Sequence, residues 1–311
     1  MARKITMNAS GNKTVAEVFE DFVISQTAKN LAEATLTNYR HHFRSISKYF
    51  DIEQSIDSLT KSKLENMVVA MRKSGLAHNS ISSYCRVLRT FFGWCQREGI
   101  TVPPLPQIKD KETVKESYTD DELEAILKKP KKTCSFCEYR NWVIVNFLMN
   151  CGCRASTVRN IQNRDVYLDT RQIIFRHNKN SKIQAVPLCS VMVTILREYM
   201  TVRKGKSDDY LFCDQYGGML SMNALRLAVA RHNQSRGVEK TSTHLYRHTF
   251  ARKYLVDCGG DAFMLQKLLG HSTLKMTKHY CTIYDADIAK NFDRFSPLAQ
   301  MNQPKEKIKR R

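Results

Sequence analysis

The sequence predicts a mainly α-helical chain in two domains, with a small β-hairpin in the second. Three observations carry that reading. Apolar residues recur at three- and four-residue spacing along most of the 311 residues. The only stretch that reads as strand lies at 171–187. Between two helical regions stands Val102-Pro103-Pro104-Leu105-Pro106, whose prolines cannot continue a helix.

Residues 1–13 are polar and read as a flexible N-terminus. Thr14-Val15-Ala16-Glu17 is a capping box and opens a helix to about Gln26. Residues 35–50 place Leu36, Tyr39, Phe43, Ile46 and Tyr49 on one face. Residues 60–74 do so with Leu64, Met67, Val68 and Met71, and residues 78–98 with Ile81, Tyr84, Val87, Leu88, Phe91 and Phe92. Residues 14–101 therefore read as a helical bundle. Its polar faces carry Arg40, His41, Arg44, Lys48, Arg72, Lys73, Arg86 and Arg89. Each taken singly reads as a solvated helix face; together they suit a phosphate-facing surface.

Residues 102–117 read as a stiff, extended linker. Thr119-Asp120-Asp121-Glu122, a second capping box, opens the domain expected over 118–294. An apolar helix is expected from about Tyr139 to Asn150, with helix-turn patterns over 155–161. Ile173, Ile174 and Phe175 on one side, and Ile183, Ala185 and Val186 on the other, flank the polar tip Asn178-Lys179-Asn180-Ser181 as a β-hairpin. Helices are expected over 189–204, 222–235, 244–257, 261–269, 272–281 and 285–293, ahead of a basic tail over 295–311.

Composition narrows the partners. Hydrophobic residues make up 42%, which excludes a largely disordered chain, and the formal charge of +20 calls for a polyanion, nucleic acid first. No apolar run approaches the roughly 20 residues that span a bilayer. Met1-Ala2-Arg3-Lys4 has no apolar region behind it, so the sequence reads as lacking a signal peptide, cytoplasmic and associated with the nucleoid. The ten cysteines then read as reduced thiols. Cys134-x-x-Cys137 and Cys151-x-Cys153 invite a zinc reading. The second pair lacks finger spacing and sits at the end of an apolar helix, so small buried residues are the preferred account.

The chemistry is concentrated in Arg154, Lys179, His244, Arg247, His271 and Tyr280. A phosphodiester resists attack because it and most nucleophiles are anionic. A catalyst must neutralise the non-bridging oxygens, supply a nucleophile and protonate the leaving alkoxide. Arginine stays charged and donates in a fork that matches phosphate, which suits Arg154 and Arg247. A phenolate can attack phosphorus and later leave, so a phosphotyrosine conserves the bond energy. A lysine at a hairpin tip can reach into a groove and give up a proton. Any one of these residues alone reads as a surface charge or a core group. Lys182 rivals Lys179, and Tyr284 rivals Tyr280.

These residues, in order and at their spacing, resemble the tyrosine recombinase, or phage integrase, family. The resemblance rests on Gly152-Cys153-Arg154 after an apolar helix and on Lys179 upstream of Val186-Pro187-Leu188. It rests further on His244-Leu245-Tyr246-Arg247 running into His248-Thr249-Phe250-Ala251, and on Leu269-Gly270-His271 with Tyr280 nine residues on. It implies a two-domain, C-shaped DNA clamp with a helical core-binding domain and a catalytic domain, and with only residues 1–13 ahead of the first helix no arm-binding domain is expected. Arg154, Arg247 and His271 would hold the scissile phosphate, and Lys179 would be the general acid for the 5′-hydroxyl. His244 would assist proton transfer, and Tyr280 would form a 3′-phosphotyrosyl bond. No cofactor, metal or magnesium is implied. The implied partners are double-stranded DNA and the protein itself, in a tetramer that exchanges C-terminal helices and passes through a Holliday junction. Accessory DNA-bending or directionality factors are further expectations.

Two positions depart from the pattern. Thr157 stands where the family often has a carboxylate, and Tyr246 where leucine is usual. The divergent boxes favour integration or excision of a mobile element over Xer-type dimer resolution. A non-catalytic DNA-binding protein and a type IB topoisomerase-like enzyme are the readings from other classes.

Overall fold

The computed structural model describes residues 13–109, 116–176, 183–274 and 277. The chain divides into two compact units, Met1–Thr113 and Val114–Arg311.

The first unit is helical. Its helices are α1 (Val15–Ala28), α2 (Glu33–Ile46), α3 (Lys61–Lys73) and α4 (His78–Arg97), with a 3-10 turn at Ile56–Ser58. The Thr14–Glu17 capping box is formed in both directions, and the Thr60 hydroxyl accepts from the Lys63 amide to start α3. Aromatic side chains fill the core. Phe19 stacks on Phe43 at 3.7 Å between ring centroids and meets Phe91 edge-on at 5.3 Å. Trp94 is buried, and its indole N–H donates to Ser25 Oγ at 3.1 Å. Beyond α4, Val102 is buried in this core and Leu105 and Ile108 pack against it. The proline-rich segment is thus held along the first unit by its apolar residues.

The second unit is built around α6 (Phe136–Cys151). That helix buries Trp142, Val143, Ile144, Val145, Phe147 and Leu148, apolar on nearly all sides, as a central helix must be. Around it lie α5 (Asp120–Leu127), α8 (Ser190–Arg203), α9 (Met222–Ser235) and α10 (Thr243–Arg252). The short α7 (Ala155–Asn160) and α11 (Ala262–Leu269) complete the described helices. Capping boxes at Thr119–Glu122 and Ser135–Glu138 start α5 and α6.

A three-stranded antiparallel sheet, in order β1 (Val166–Tyr167), β2 (Gln172–Phe175), β3 (Gln184–Pro187), contains the expected hairpin as β2 and β3. Ile173 pairs with Val186 and Phe175 with Gln184. The two-residue β1 is too short to leave a periodic signal and was not anticipated. Arg176, just past β2, donates to the buried carboxylate of Asp165 at 2.7 Å, which ties that end of the strand to the turn before β1.

The helix expected over 244–257 is in two parts. α10 ends at Arg252, and Lys253–Asp257 form a wider, π-helical turn in which the Cys258 amide donates to the Lys253 carbonyl. The hairpin tip with Lys179 and Lys182, the stretch with Tyr280 and Tyr284, the helix expected over 285–293 and the basic tail lie outside the described residues. Among the described residues no helix is long and apolar enough to cross a membrane.

Candidate active site

Two helices end in the same way, and the site is assembled between their ends. α6 stops because Gly152 takes the left-handed conformation at φ +56°, with its amide donating to the Leu148 carbonyl. The chain reverses, buries Cys153 and presents Arg154 as the residue that opens α7. α11 stops at Gly270, φ +62°, and the next residue is His271. Left-handed glycines at these two positions let the backbone turn sharply without a Cβ clash.

Arg247, on α10, joins the two ends. It is 1% exposed. Its Nη1 donates to the Gly152 carbonyl at 2.9 Å, and its Nη2 donates to the Leu269 carbonyl at 2.9 Å. Nη2 also lies 2.5 Å from His271 Nε2. The carbonyls left over at both helix ends accept a charged donor, which satisfies groups that helix geometry strands. Packing dictates the close approach: a Cβ on Gly152 would lie 2.4 Å from Phe250 Cδ1 of α10.

His271 is 7% exposed. A guanidinium only donates, so Nε2 accepts from Arg247 and the ring proton resides on Nδ1, which donates to Thr277 Oγ1 at 2.9 Å. Burial, then the positive charges of Arg247 and Arg154, push its pKa down to about 4. Arg154, Arg247 and His271 therefore share one local field. The His271 ring is therefore uncharged at neutral pH in this setting.

His244 sits on the first turn of α10, exposed, and its ring meets that of the buried His248 edge-on at 5.2 Å. It lies three positions before Arg247, so one helix delivers both. Lys179 and Tyr280, the expected acid and nucleophile, lie outside the described residues.

The departures from the family pattern have structural settings. Tyr246 is fully buried and its hydroxyl donates to Asn233 Oδ1 at 2.6 Å. Asn233 in turn donates to the Tyr118 hydroxyl at 2.9 Å and to the Lys240 carbonyl at 2.7 Å. The Tyr118 amide donates to Thr249 Oγ1 at 3.0 Å, and burial pushes the Tyr118 phenol up to about 12. This polar network fastens α10 to α9 and to the start of the second unit. Thr157 is buried on α7. Cys151 and Cys153 are buried with sulfurs 3.6 Å apart; Cys151 donates to the Phe147 carbonyl, and burial raises its pKa well above that of a free thiol. Among the described residues no group of three or more His, Cys, Asp or Glu is placed to hold a metal ion.

Sequence reasoning did not single out Gln184, Asn233 or Thr277. Only Asn233 left a signal, as a polar residue beside the apolar stripe of α9.

The model of the phage integrase family matches residues 116–287, and that of the phage integrase N-terminal SAM-like domain matches residues 19–99. Tyrosine recombinase XerC of Haemophilus ducreyi is 26% identical over 292 residues, covering 92% of this chain and 95% of that protein. Among solved structures, the Tn1549 transposon integrase in complex with transposon right end DNA superposes with a TM-score of 0.74 at 19% identity, over 91% of this chain and 99% of that one. A lambda integrase tetramer bound to a Holliday junction gives 0.72 at 16% identity, over 89% and 81%. The two structural likenesses establish the fold.

Proposed function

Because the chain belongs to the phage integrase family, and is on that ground a tyrosine site-specific recombinase, we propose that it cuts and rejoins double-stranded DNA through a 3′-phosphotyrosyl intermediate on Tyr280. The observation that carries the chemistry is the buried Arg247 guanidinium, fixed by two backbone carbonyls beside His271 and sharing its field with Arg154. Such a cluster favours an anion, and the scissile phosphate is the anion this chemistry needs. Arg154 and Arg247 hold the non-bridging oxygens, and His271 joins them once the phosphate offsets the two arginines and Nε2 takes a proton. The Tyr280 phenolate oxygen bonds to phosphorus while the bond to the 5′-oxygen breaks, and Lys179 gives that oxygen its proton. His244 takes up the phenol's proton. A 5′-hydroxyl from the other duplex then attacks phosphorus, releases Tyr280 and seals the exchanged strand.

The biological role we assign is integration or excision of a mobile element, by a tetramer acting on two DNA sites through a Holliday junction. The divergent Asn150-Cys151-Gly152-Cys153-Arg154 box and the fold shared with a transposon integrase support it. The similarity to XerC along almost the full chain favours a second reading, resolution of chromosome dimers.

The test uses nicked duplexes taken from the DNA flanking this gene, in EDTA, with wild type and Tyr280→Phe. An SDS-resistant protein–DNA adduct formed by the wild type and lost in the variant is the expected result. Specific binding without an adduct, or an equal adduct from Tyr280→Phe, would overturn the assignment of the nucleophile. Strand exchange between copies of the element's ends, and none between chromosomal terminus sites, separates the two roles.

A further inference from the structure

We propose that Gln184 is a positioning residue for the phosphate clamp, holding strand β3 against the turn that carries His271. The inference rests on the reading of His271 as part of that clamp. The side-chain amide of Gln184 reaches from β3 to the last turn of α11, where Nε2 donates to the Lys267 carbonyl at 2.7 Å and to the Leu268 carbonyl at 2.9 Å. Arg247 donates to the next carbonyl, that of Leu269. Three successive carbonyls at the end of α11 are therefore gripped by side chains from two other elements, Gln184 on one side and Arg247 on the other.

The grip needs the glycine that follows. A Cβ at Gly270 would lie 2.8 Å from Gln184 Oε1, so the left-handed glycine both ends the helix and leaves room for the amide. The Gly270 amide also donates to the Lys267 carbonyl, and the His271 amide to the Gln266 carbonyl at 3.0 Å. The imidazole thus hangs from a backbone whose freedom is removed one residue earlier. A side chain that cannot donate at position 184 releases that turn on one side only. Arg247 would keep its bond to Leu269 while His271 gained freedom relative to it.

The chemistry predicts which substitutions matter. Gln184→Met keeps length and volume and donates nothing. Gln184→Glu keeps the shape and sets a carboxylate against two carbonyl oxygens, so its effect is larger. A misplaced clamp slows the phosphoryl transfer and leaves most of the DNA contact intact, because phosphate contacts elsewhere supply the affinity.

The decisive experiment is a double-mutant cycle between Gln184→Met and His271→Ala, read as the rate of covalent adduct formation on a nicked flanking duplex. DNA affinity and the melting temperature of each full-length variant are measured alongside. Gln184→Met is expected to slow adduct formation about tenfold to hundredfold, as a displaced catalytic group does, with affinity unchanged. In the His271→Ala background the same substitution is expected to cost little more, because the group it positions is already gone. Losses that simply multiply, or a wild-type rate in Gln184→Met beside an impaired His271→Ala, would overturn the positioning role. A wild-type rate in His271→Ala would instead overturn the reading of the clamp, and the positioning role with it.

Discussion

Gly152→Ala probes the junction on which the site is built. Gly152 lies at φ +56°, and a methyl there meets Phe250 Cδ1 at 2.4 Å, Phe250 Cγ at 2.9 Å and Leu269 Cδ2 at 3.0 Å. Two costs follow. The left-handed backbone costs an L-residue about 1–2 kcal/mol. Forcing a methyl between the buried Leu269 and the ring of Phe250 costs about 1–3 kcal/mol more. Relief requires the end of α6 to move away from α10, and that movement carries off the carbonyl to which Arg247 is anchored. Stability and chemistry should therefore fall together. A loss of about 2–5 kcal/mol in a unit of this size lowers its melting temperature by about 4–20 °C, which calorimetry of the full chain reads directly. Gly217→Ala supplies the control, because Gly217 has φ +89° and nothing within 4 Å of an added Cβ. It bears the backbone cost alone. If Gly152→Ala melts no lower than Gly217→Ala and forms the DNA adduct at the wild-type rate, the reasoning about this junction is wrong.

Two further outcomes are expected. Tyr246→Phe removes the hydroxyl that donates to Asn233 Oδ1 inside the protein, and leaving that oxygen short of a donor should cost about 1–3 kcal/mol in urea denaturation; an unchanged midpoint refutes the network's role. His271 has a folded pKa of about 4, below its ordinary 6.5, so between these values the unfolded chain binds more protons than the native one. Its contribution to stability is complete above pH 6.5 and is lost as pH falls towards 4. The melting temperature of His271→Gln should accordingly depend less steeply on pH across that window than that of the wild type, and equal slopes would contradict the burial and charge argument.

Local periodicity and capping chemistry were enough to read most of the described helices. α1 and α5 begin at the capping boxes read at Thr14 and Thr119, whose hydroxyls and partner glutamates satisfy the first amides without help from distant residues, whereas α6, expected from about Tyr139, begins at Phe136 behind a Ser135–Glu138 box that the apolar pattern did not reveal. The β2–β3 hairpin was legible because β-branched and aromatic residues flank a polar tip. β1 was not, since two residues carry no period, and neither was the π-helical turn after α10, which depends on how the chain packs beyond Arg252.

The candidate site divides along the same line. The resemblance of short local motifs to the phage integrase family singled out Arg154, Arg247 and His271; each residue taken alone reads as a surface charge or a core group. Gly152 and Gly270 stood in those motifs, and the structure shows that both end a helix in the left-handed conformation. That Arg247 bridges the ends of both helices, that Gln184 grips α11 from a strand more than eighty residues earlier in the chain, and that Tyr246 ties into Asn233 were decided by the tertiary structure. Each of these bonds joins residues whose separation along the chain says nothing about their distance in space. Only the packing of α6, α10 and α11 brings the stranded carbonyls to the side chains that hold them.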